Sequence, residues 1–384
     1  MRILRVIASV DIRKGGPING LISTTACLLE KGHQVEILTL DDKNDNHLKS
    51  FPFKLHCFNG VKFGYRYSID AKKWLKKNIK NYDIVVIHGI WQFHSYATSK
   101  ACVENNVPYV IFTHGMLDPW FNQNYFFKKI KKKVYWRLFE SDVIRKAKNV
   151  LFTSDMEMVL SSKSFKPYSA NGKVVSYGSK KPDSNKIDAT NFFFSKFPEL
   201  KNSDFLLFMS RIHPKKGLDL VIGSLPSLLN KYPDKKIVIA GPDYGNETEK
   251  LTRLSKQLGV DSQILWTGML DGELKWGALY SCAALILISH QENFGIVVSE
   301  ALSTETPVII SNKVNIFDQV EDYNAGLVCG DNIEETTNVL NRWFNLLPKE
   351  RAILSSNAMR LYQDKFSIEA ASASLEKVLE RAVN

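Results

Sequence analysis

The chain has 384 residues, 44 % of them hydrophobic and 24 % charged, with a formal net charge of +11. That length exceeds one ordinary core and makes two domains the expectation, and with no apolar run of about 18 residues a membrane-spanning helix is excluded. Five scattered cysteines, none in a C-x-x-C pair, exclude a disulfide framework and a structural zinc ribbon and fit a reducing cytosol.

The charge is divided unevenly. Residues 1–190 carry 31 Lys and Arg against 16 Asp and Glu, whereas the remainder carries 20 against 24. The first half is therefore expected to meet an anionic partner: a membrane surface, a nucleic acid or an anionic substrate.

In chain order, Met1–Val10 has neither a signal-peptide core of normal length nor a small-residue cleavage site, and Ile3 to Ser9 reads as a first strand. A glycine-rich turn, 15–20, leads into a helix over Leu21 to Glu30 ended by Gly32, then a strand over Gln34 to Leu40. Strands over 83–88, 109–113, 150–153 and 174–177 alternate with helices near 71–79, 95–105 and 126–146. Polar, turn-rich residues 178–185 read as a linker. A second alternating set follows, with strands at 205–209, 236–240, 263–266, 283–288, 307–310 and 325–328, and the last 50 or so residues read as helical. The expected fold class is α/β, two doubly wound parallel sheets, with ligands at the carboxyl ends of the strands in a shared cleft.

Two stretches of the second unit carry chemistry. Ser210-Arg211-Ile212-His213-Pro214-Lys215-Lys216-Gly217 places a guanidinium and an ammonium around a turn, a pair suited to clamping a diphosphate. Gln291-Glu292-Asn293-Phe294-Gly295-Ile296-Val297-Val298-Ser299-Glu300 puts two carboxylates across a strand–loop–helix junction. The helix start offers unpaired N–H groups to a phosphate. Gly241 and Gly268 end strands and can admit a ligand close to backbone. No Asp-x-Asp occurs and no His/Cys/carboxylate cluster has ligand spacing, so metal ligands are expected to number none.

The order Ser-Arg-x-x-x-x-Lys-Gly, Gly-Pro, Trp-Thr-Gly and Glu-Asn-Phe-Gly-x-x-x-x-Glu-Ala resembles the retaining GT-B glycosyltransferases of family 4, enzymes that use nucleotide sugars. The first half is similar more loosely, through Gly15-Gly16, Lys31-Gly32-His33 and Thr113-His114-Gly115-Met116-Leu117-Asp118-Pro119-Trp120, a segment like that of bacterial polysaccharide enzymes. The resemblance implies two Rossmann-like domains: 1–185 for the acceptor, joined by a C-terminal helix at about 365–384, and 186–364 for the donor. It also implies that Arg211 and Lys216 hold the diphosphate and that Glu292 faces the sugar hydroxyls. Phe294, Gly295 and Ile296, with Asn293 beside them, should meet the sugar through N–H groups, and Val297 and Val298 the phosphate. Glu300 should accept from the ribose, Met269 and Leu270 should line the base beside Gly241, Gly16 should approach the phosphate, and His114 should reach the donor sugar. His88-Gly89 repeats the His114-Gly115 pattern one strand earlier. Trp91, Phe93, His94, Asp118 and Trp120 are expected at the acceptor sugar, or else in the core.

These expectations amount to a cytoplasmic hexosyltransferase of polysaccharide assembly, metal-independent. It would act on a UDP-hexose such as UDP-glucose, or on GDP-mannose, with a saccharide or lipid-linked saccharide as acceptor. A nucleotide-sugar epimerase and a non-catalytic membrane-associated protein are the rival readings. The basic, aromatic stretch from Lys128 to Arg137 and on to Phe139 reads either as peripheral attachment to an anionic membrane or as a solvated basic face over a buried aromatic stripe. No nucleic-acid motif accompanies it, and no nucleic-acid partner is expected.

Overall fold

The structure, a computed structural model, describes residues 1–384 except Gly15, Lys62–Phe63 and Phe121–Tyr125; the side chains of Lys14, Phe126–Lys129 and Leu229 also lie outside the description. The chain divides into two compact units, Met1–Tyr177 with Ile368–Asn384, and Gly178–Ser367. The boundaries thus fall at 177/178 and 367/368, where the sequence reading placed them at 185/186 and 364/365.

Unit 1 is built on a parallel sheet of β1 (Arg2–Ile7), β2 (Gln34–Thr39), β3 (Leu55–Cys57), β4 (Ile84–His88), β5 (Tyr109–Phe112), β6 (Asn149–Phe152) and β7 (Gly172–Val174). Its order is β3-β2-β1-β4-β5-β6-β7. β4, β5 and β6 are buried along their whole length, as strands covered on both faces must be. The order reverses between β1 and β4, so the loops after Ile7 and His88 flank the switch point where ligands bind in such sheets. The returning helix Ile368–Val383 sets Leu375, Leu379 and Ala382 against Ile3, Leu28, Val86 and Leu151. Each fully buried leucine there contributes about 1.5–3 kcal/mol. Glu376 adds an ion pair to Lys31 and a 2.8 Å contact to His33.

Three expectations are corrected in unit 1. The glycine-rich stretch from Gly16 is helix, not turn, because the helix runs Gly16–Glu30 and Pro17 lies in its first turn, where no N–H is required. Gly20, inside that helix, leaves room for the Tyr177 ring, which a Cβ would overlap. The tyrosine hydroxyl donates to the Gly16 carbonyl. The helix expected over 126–146 is interrupted: Phe126–Tyr135 and Ser141–Lys146 flank one turn of π-helical spacing at Trp136–Glu140. Strand β3 was not foreseen, since three half-buried residues show no period.

Unit 2 is a parallel sheet of β8 (Phe205–Met209), β9 (Lys236–Ala240), β10 (Ile264–Gly268), β11 (Ala284–Leu287), β12 (Val308–Ser311) and β13 (Gly326–Cys329), in the order β10-β9-β8-β11-β12-β13. Its switch point lies between β8 and β11. Each of the two chemical stretches begins at the carboxyl end of one of these two strands. Beyond the expected linker, in residues given no element by the sequence reading, lies a helix, Lys186–Lys196, capped by the Asn185 side chain on the Ile187 N–H at 2.8 Å. It packs on the helix Gly272–Ser281 so closely that a Cβ at Gly277 would meet the Ala189 carbonyl.

Candidate functional site

In unit 2 the loop after β8 is built by its own side chains. The Lys215 N–H donates to Nδ1 of His213 at 3.0 Å, which caps the short turn Pro214–Lys216. Gly217 closes that turn at φ 65°, and a Cβ there would land on the Ile288 carbonyl. The His290 N–H then donates to the Lys215 carbonyl at 2.8 Å, so the basic loop and the acidic loop are stitched together.

The acidic loop is pinned from its other side. The Glu292 N–H donates to Lys313 O at 2.9 Å and the Asn315 N–H to Glu292 O at 3.0 Å. Gly295 at φ 69° turns the chain into the helix Ile296–Leu302. A Cβ at Gly295 would press on Glu292 Cγ at 3.2 Å. With both loops fixed, the Lys216 ammonium and the Glu292 carboxylate form an ion pair, their side chains 13 % and 17 % exposed. Burial pushes the Glu292 carboxyl up, but the adjacent Lys216 ammonium outweighs it and holds the group below its ordinary range. Arg211 lies exposed at the loop's start and forms no ion pair among the described residues.

Glu300 has a partner that the sequence reading missed. Lys275, on the helix Gly272–Ser281, donates to Glu300 Oε1 at 2.6 Å and lies 4.5 Å from the Trp276 ring centroid. Each glutamate of the motif is thus held by a lysine from another element. His290 was also missed. It contacts Asp331 at 3.3 Å and Asp219 at 3.6 Å, and these two carboxylates, Asp219 first, raise its pKa from the ordinary value.

The other donor-side residues are placed as follows. The Asn293 N–H donates to Glu292 Oε1 at 3.1 Å, and Asn293 Oδ1 accepts from Asn315 at 3.3 Å. Phe294 is buried edge-on against Phe366, with centroids 5.2 Å apart. The side chains of Val297 and Val298 are buried, which leaves only their backbone for a ligand. The Val298 N–H already donates to Gly295 O at 2.7 Å, so that expected phosphate donor is corrected: the tight turn uses it. Met269 is 65 % exposed, whereas Leu270 is buried. Gly241 is corrected in its reason, since a Cβ there would strike the Ser210 carbonyl; backbone, not a ligand, fills that space.

In unit 1, Gly16 begins its helix with open space where a Cβ would lie, and its neighbour Gly15 lies outside the described residues. His114 stands at φ 48° and Trp91 at φ 73°, left-handed values that are uncommon for such residues. The His114 loop is anchored by Glu157, which accepts from the Thr113 hydroxyl at 2.8 Å, the Gly115 N–H at 2.6 Å and the Thr153 N–H at 2.7 Å. The sequence did carry a signal for it: Ser154-x-x-Glu157 is a capping-box spacing, and Ser154 does cap that helix.

Much of the expected acceptor group is framework. His94 is buried with Nε2 at 2.9 Å from the His88 carbonyl, and Phe93 is buried between Tyr65 and Tyr67. Neither presents itself to a sugar, and the physical reason is the same: the apolar inner face of the helix Phe93–Glu104. Trp91 packs on Phe165 at 5.1 Å and on Trp136 at 5.9 Å, with Lys132 Nζ 4.9 Å from its ring centroid. Asp118 is buried and accepts from the Trp120 N–H at 2.8 Å, holding the turn; Trp120 stays half-buried.

One cluster of possible ligand atoms was not foreseen from the sequence. Asp41, Asp45 and His47 converge closely enough to share an ion, because the turn Asn46–Leu48 folds His47 back. Asp41 is nevertheless already satisfied by the Val10 N–H at 2.7 Å, Thr39 at 2.8 Å and Arg66 at 3.2 Å.

Residues 190–360 match the family model described as Glycosyl transferases group 1, and residues 15–159 match that of Glycosyltransferase Family 4. An uncharacterised glycosyltransferase of Methanocaldococcus jannaschii is 33 % identical over 107 residues, 28 % of this chain and 27 % of that protein. An alpha-1,3/1,6-mannosyltransferase, ALG2 of Dictyostelium discoideum, is 24 % identical over 198 residues, 48 % and 47 % of the two chains. The chain therefore spans between about a quarter and a half of the length of these curated relatives. Among solved structures, the Anabaena HepE protein in complex with UDP and glucose superposes with a TM-score of 0.77 at 17 % identity, covering 99 % of this chain and 100 % of that one. That likeness concerns the fold.

Proposed function

Because the chain belongs to the GT-B glycosyltransferases of family 4, we propose that unit 2 holds a nucleotide sugar and that the protein transfers its hexose to a saccharide or lipid-linked saccharide, with retention, in polysaccharide assembly. The observation that carries this reading is the pair of lysine-held glutamates, Lys216–Glu292 between the loops after β8 and β11 and Lys275–Glu300 between the helices on either side of β11. An incoming diphosphate competes with Glu292 for Lys216 and draws Arg211 to itself. Glu292 is then free to accept from sugar hydroxyls, and Glu300 from the ribose. As the sugar–phosphate bond opens, negative charge grows on the leaving diphosphate, where both cations act most strongly. In a retaining reaction on one face of the sugar, the leaving phosphate takes the acceptor's proton. No step of this scheme calls on a metal ion.

We assign the donor as a UDP-hexose, UDP-glucose first; a neighbour of the same fold was solved with UDP and glucose. GDP-mannose is the second reading, since one relative is a mannosyltransferase. A thermal-shift panel of UDP, GDP, UDP-glucose and GDP-mannose tests both. UDP compounds are expected to raise Tm and GDP compounds not, with the UDP shift lost in Arg211→Ala and Glu300→Ala. A panel without any shift would overturn the reading.

No helix among the described residues is long and apolar enough to cross a membrane. Peripheral attachment is supported by Ile130, Val134 and Leu138, exposed at 52 %, 56 % and 64 % in successive turns among Lys131, Lys133 and Arg137. Lys128 and Lys129 belong to the same stretch, but their side chains lie outside the described residues. Basic side chains around an exposed apolar stripe suit the cytoplasmic face of an anionic bilayer. Flotation with phosphatidylserine-containing vesicles is expected to carry the protein up. The pair Lys131→Glu with Lys133→Glu should weaken that by about tenfold or more, and equal flotation with neutral vesicles would refute the attachment.

A further inference from the structure

Arg5 is a buried guanidinium, 1 % exposed, and no carboxylate pairs with it among the described residues. It lies on β1 and donates to the Leu21 carbonyl at 3.0 Å, to Thr24 Oγ1 and Thr25 Oγ1 at 2.8 Å each, and through Nε to Nε2 of His88 at 3.3 Å. Its Nη2 is 3.1 Å from the same ring nitrogen. His88 Nδ1 in turn lies 3.1 Å from His114 Nε2, and the two rings stack with 17° between their planes. Phe112 stacks on both rings, and Tyr177 stands edge-on to His114. The glycosyl-transfer scheme uses neither Arg5 nor His88.

The row has one consistent set of protons. A guanidinium only donates, so His88 Nε2 must present its lone pair. The proton of neutral His88 then sits on Nδ1 and points at His114 Nε2, which accepts it. His114 consequently carries its own proton on Nδ1, an atom with no hydrogen-bond partner among the described residues. Both imidazoles stay neutral: burial, with Arg5 next, holds His114 at about 3, and the same causes hold His88 well below its ordinary value. His94, which also faces His88, is neutral as well, its pKa brought to about 4 mainly by burial.

We propose that Arg5 is a positioning residue that acts through His88 to lock His114 as a fixed Nδ1–H donor, so that His114 offers a hydrogen bond to a ligand oxygen at the carboxyl end of β5 and cannot act as a base. The proposal rests on the glycosyl-transfer reading only in naming that oxygen as a sugar's. It goes beyond that reading in assigning the proton and the residue that sets it.

The test is two-dimensional nitrogen–proton NMR of the full chain labelled at histidine, with His88 and His114 assigned from His88→Gln and His114→Gln variants. Both are expected as the Nδ1–H tautomer, unchanged from pH 5.5 to 8.5. An Nε2–H tautomer or a charged ring at His114 in the unmodified protein would overturn the proposal, whatever the variants do. In Arg5→Met, His114 is expected to become a tautomer mixture, with partial return to the locked form in Arg5→Lys. If the sugar reading also holds, Arg5→Met raises KM for the nucleotide sugar about tenfold, the worth of one oriented hydrogen bond, and leaves the Kd for UDP unchanged. A locked His114 in a protein that binds no UDP would fail the functional reading and keep the tautomer assignment. A His114 still locked in folded Arg5→Met would remove Arg5 from the relay.

Discussion

Lys216→Ala is expected to lower kcat by about 100- to 1,000-fold, the usual cost of removing one preorganised group that stabilises developing charge. In the proposed scheme Lys216 acts on the diphosphate when negative charge is greatest there, so the loss should fall on kcat more than on KM. The substitution also leaves the Glu292 carboxyl, only 17 % exposed, without the cation that depresses its pKa. Burial then dominates and the carboxyl titrates upward, so the variant gains stability at lower pH relative to the unmodified protein. That sign follows because a depressed carboxyl pKa stabilises the fold above its unfolded value and loses that contribution as pH falls. The double variant Lys216→Ala with Glu292→Gln is expected to recover Tm without recovering kcat. Steady-state kinetics beside thermal melts separates the two effects, and a kcat within threefold of the original would remove Lys216 from the reaction.

Gly217→Ala is expected to be among the most damaging single methyl groups in unit 2, beside Gly241→Ala. The Gly217 φ of 65° disfavours any Cβ, and the Cβ would occupy the position of the Ile288 carbonyl oxygen. Strained backbone and overpacking together cost about 2–6 kcal/mol, which takes Tm down by ten degrees or so. Because the clash separates the basic loop from the acidic loop, UDP affinity should fall in the same variant. Gly245→Ala is the control: its φ is 76° but nothing lies within 4 Å of the added methyl. If both variants melt alike, contact with Ile288 does not matter and only backbone strain does.

The parts of the site legible in the sequence were those whose partners lie within one stretch. Arg211 to Gly217 and Glu292 to Glu300 each run from strand end to helix start, and each stretch showed its own ligand chemistry in its residue types. Lys275 was not legible because its helix precedes Glu300 by a whole crossover, and a lysine on an amphipathic surface carries no mark of its partner. Arg5 carried no reading of its own inside the strand expected over Ile3 to Ser9, yet it is buried, and only the fold brings His88 and Thr24 to it. His94 and Phe93 read as ligands because aromatic residues at a strand end suit both sugars and cores. Their burial shows that the core claimed them. The widened turn at Trp136–Glu140 left no trace in the sequence pattern, since Trp136 reaches the Pro167 carbonyl at 2.7 Å through a contact distant along the chain.

The return of Ile368–Asn384 to unit 1 has a consequence for biosynthesis. A ribosome adds about 5–20 residues per second, so the stretch from Gly178 to Ser367 takes about 10–40 s to emerge. Throughout that interval the face formed by Ile3, Leu28, Val86 and Leu151 lacks the helix that covers it. Unit 2, an unbroken segment, is whole before unit 1 receives its last helix. The nascent protein thus carries a finished second unit beside an apolar surface that holdase chaperones recognise, and a premature stop after Ser367 would spoil the unit that was begun first.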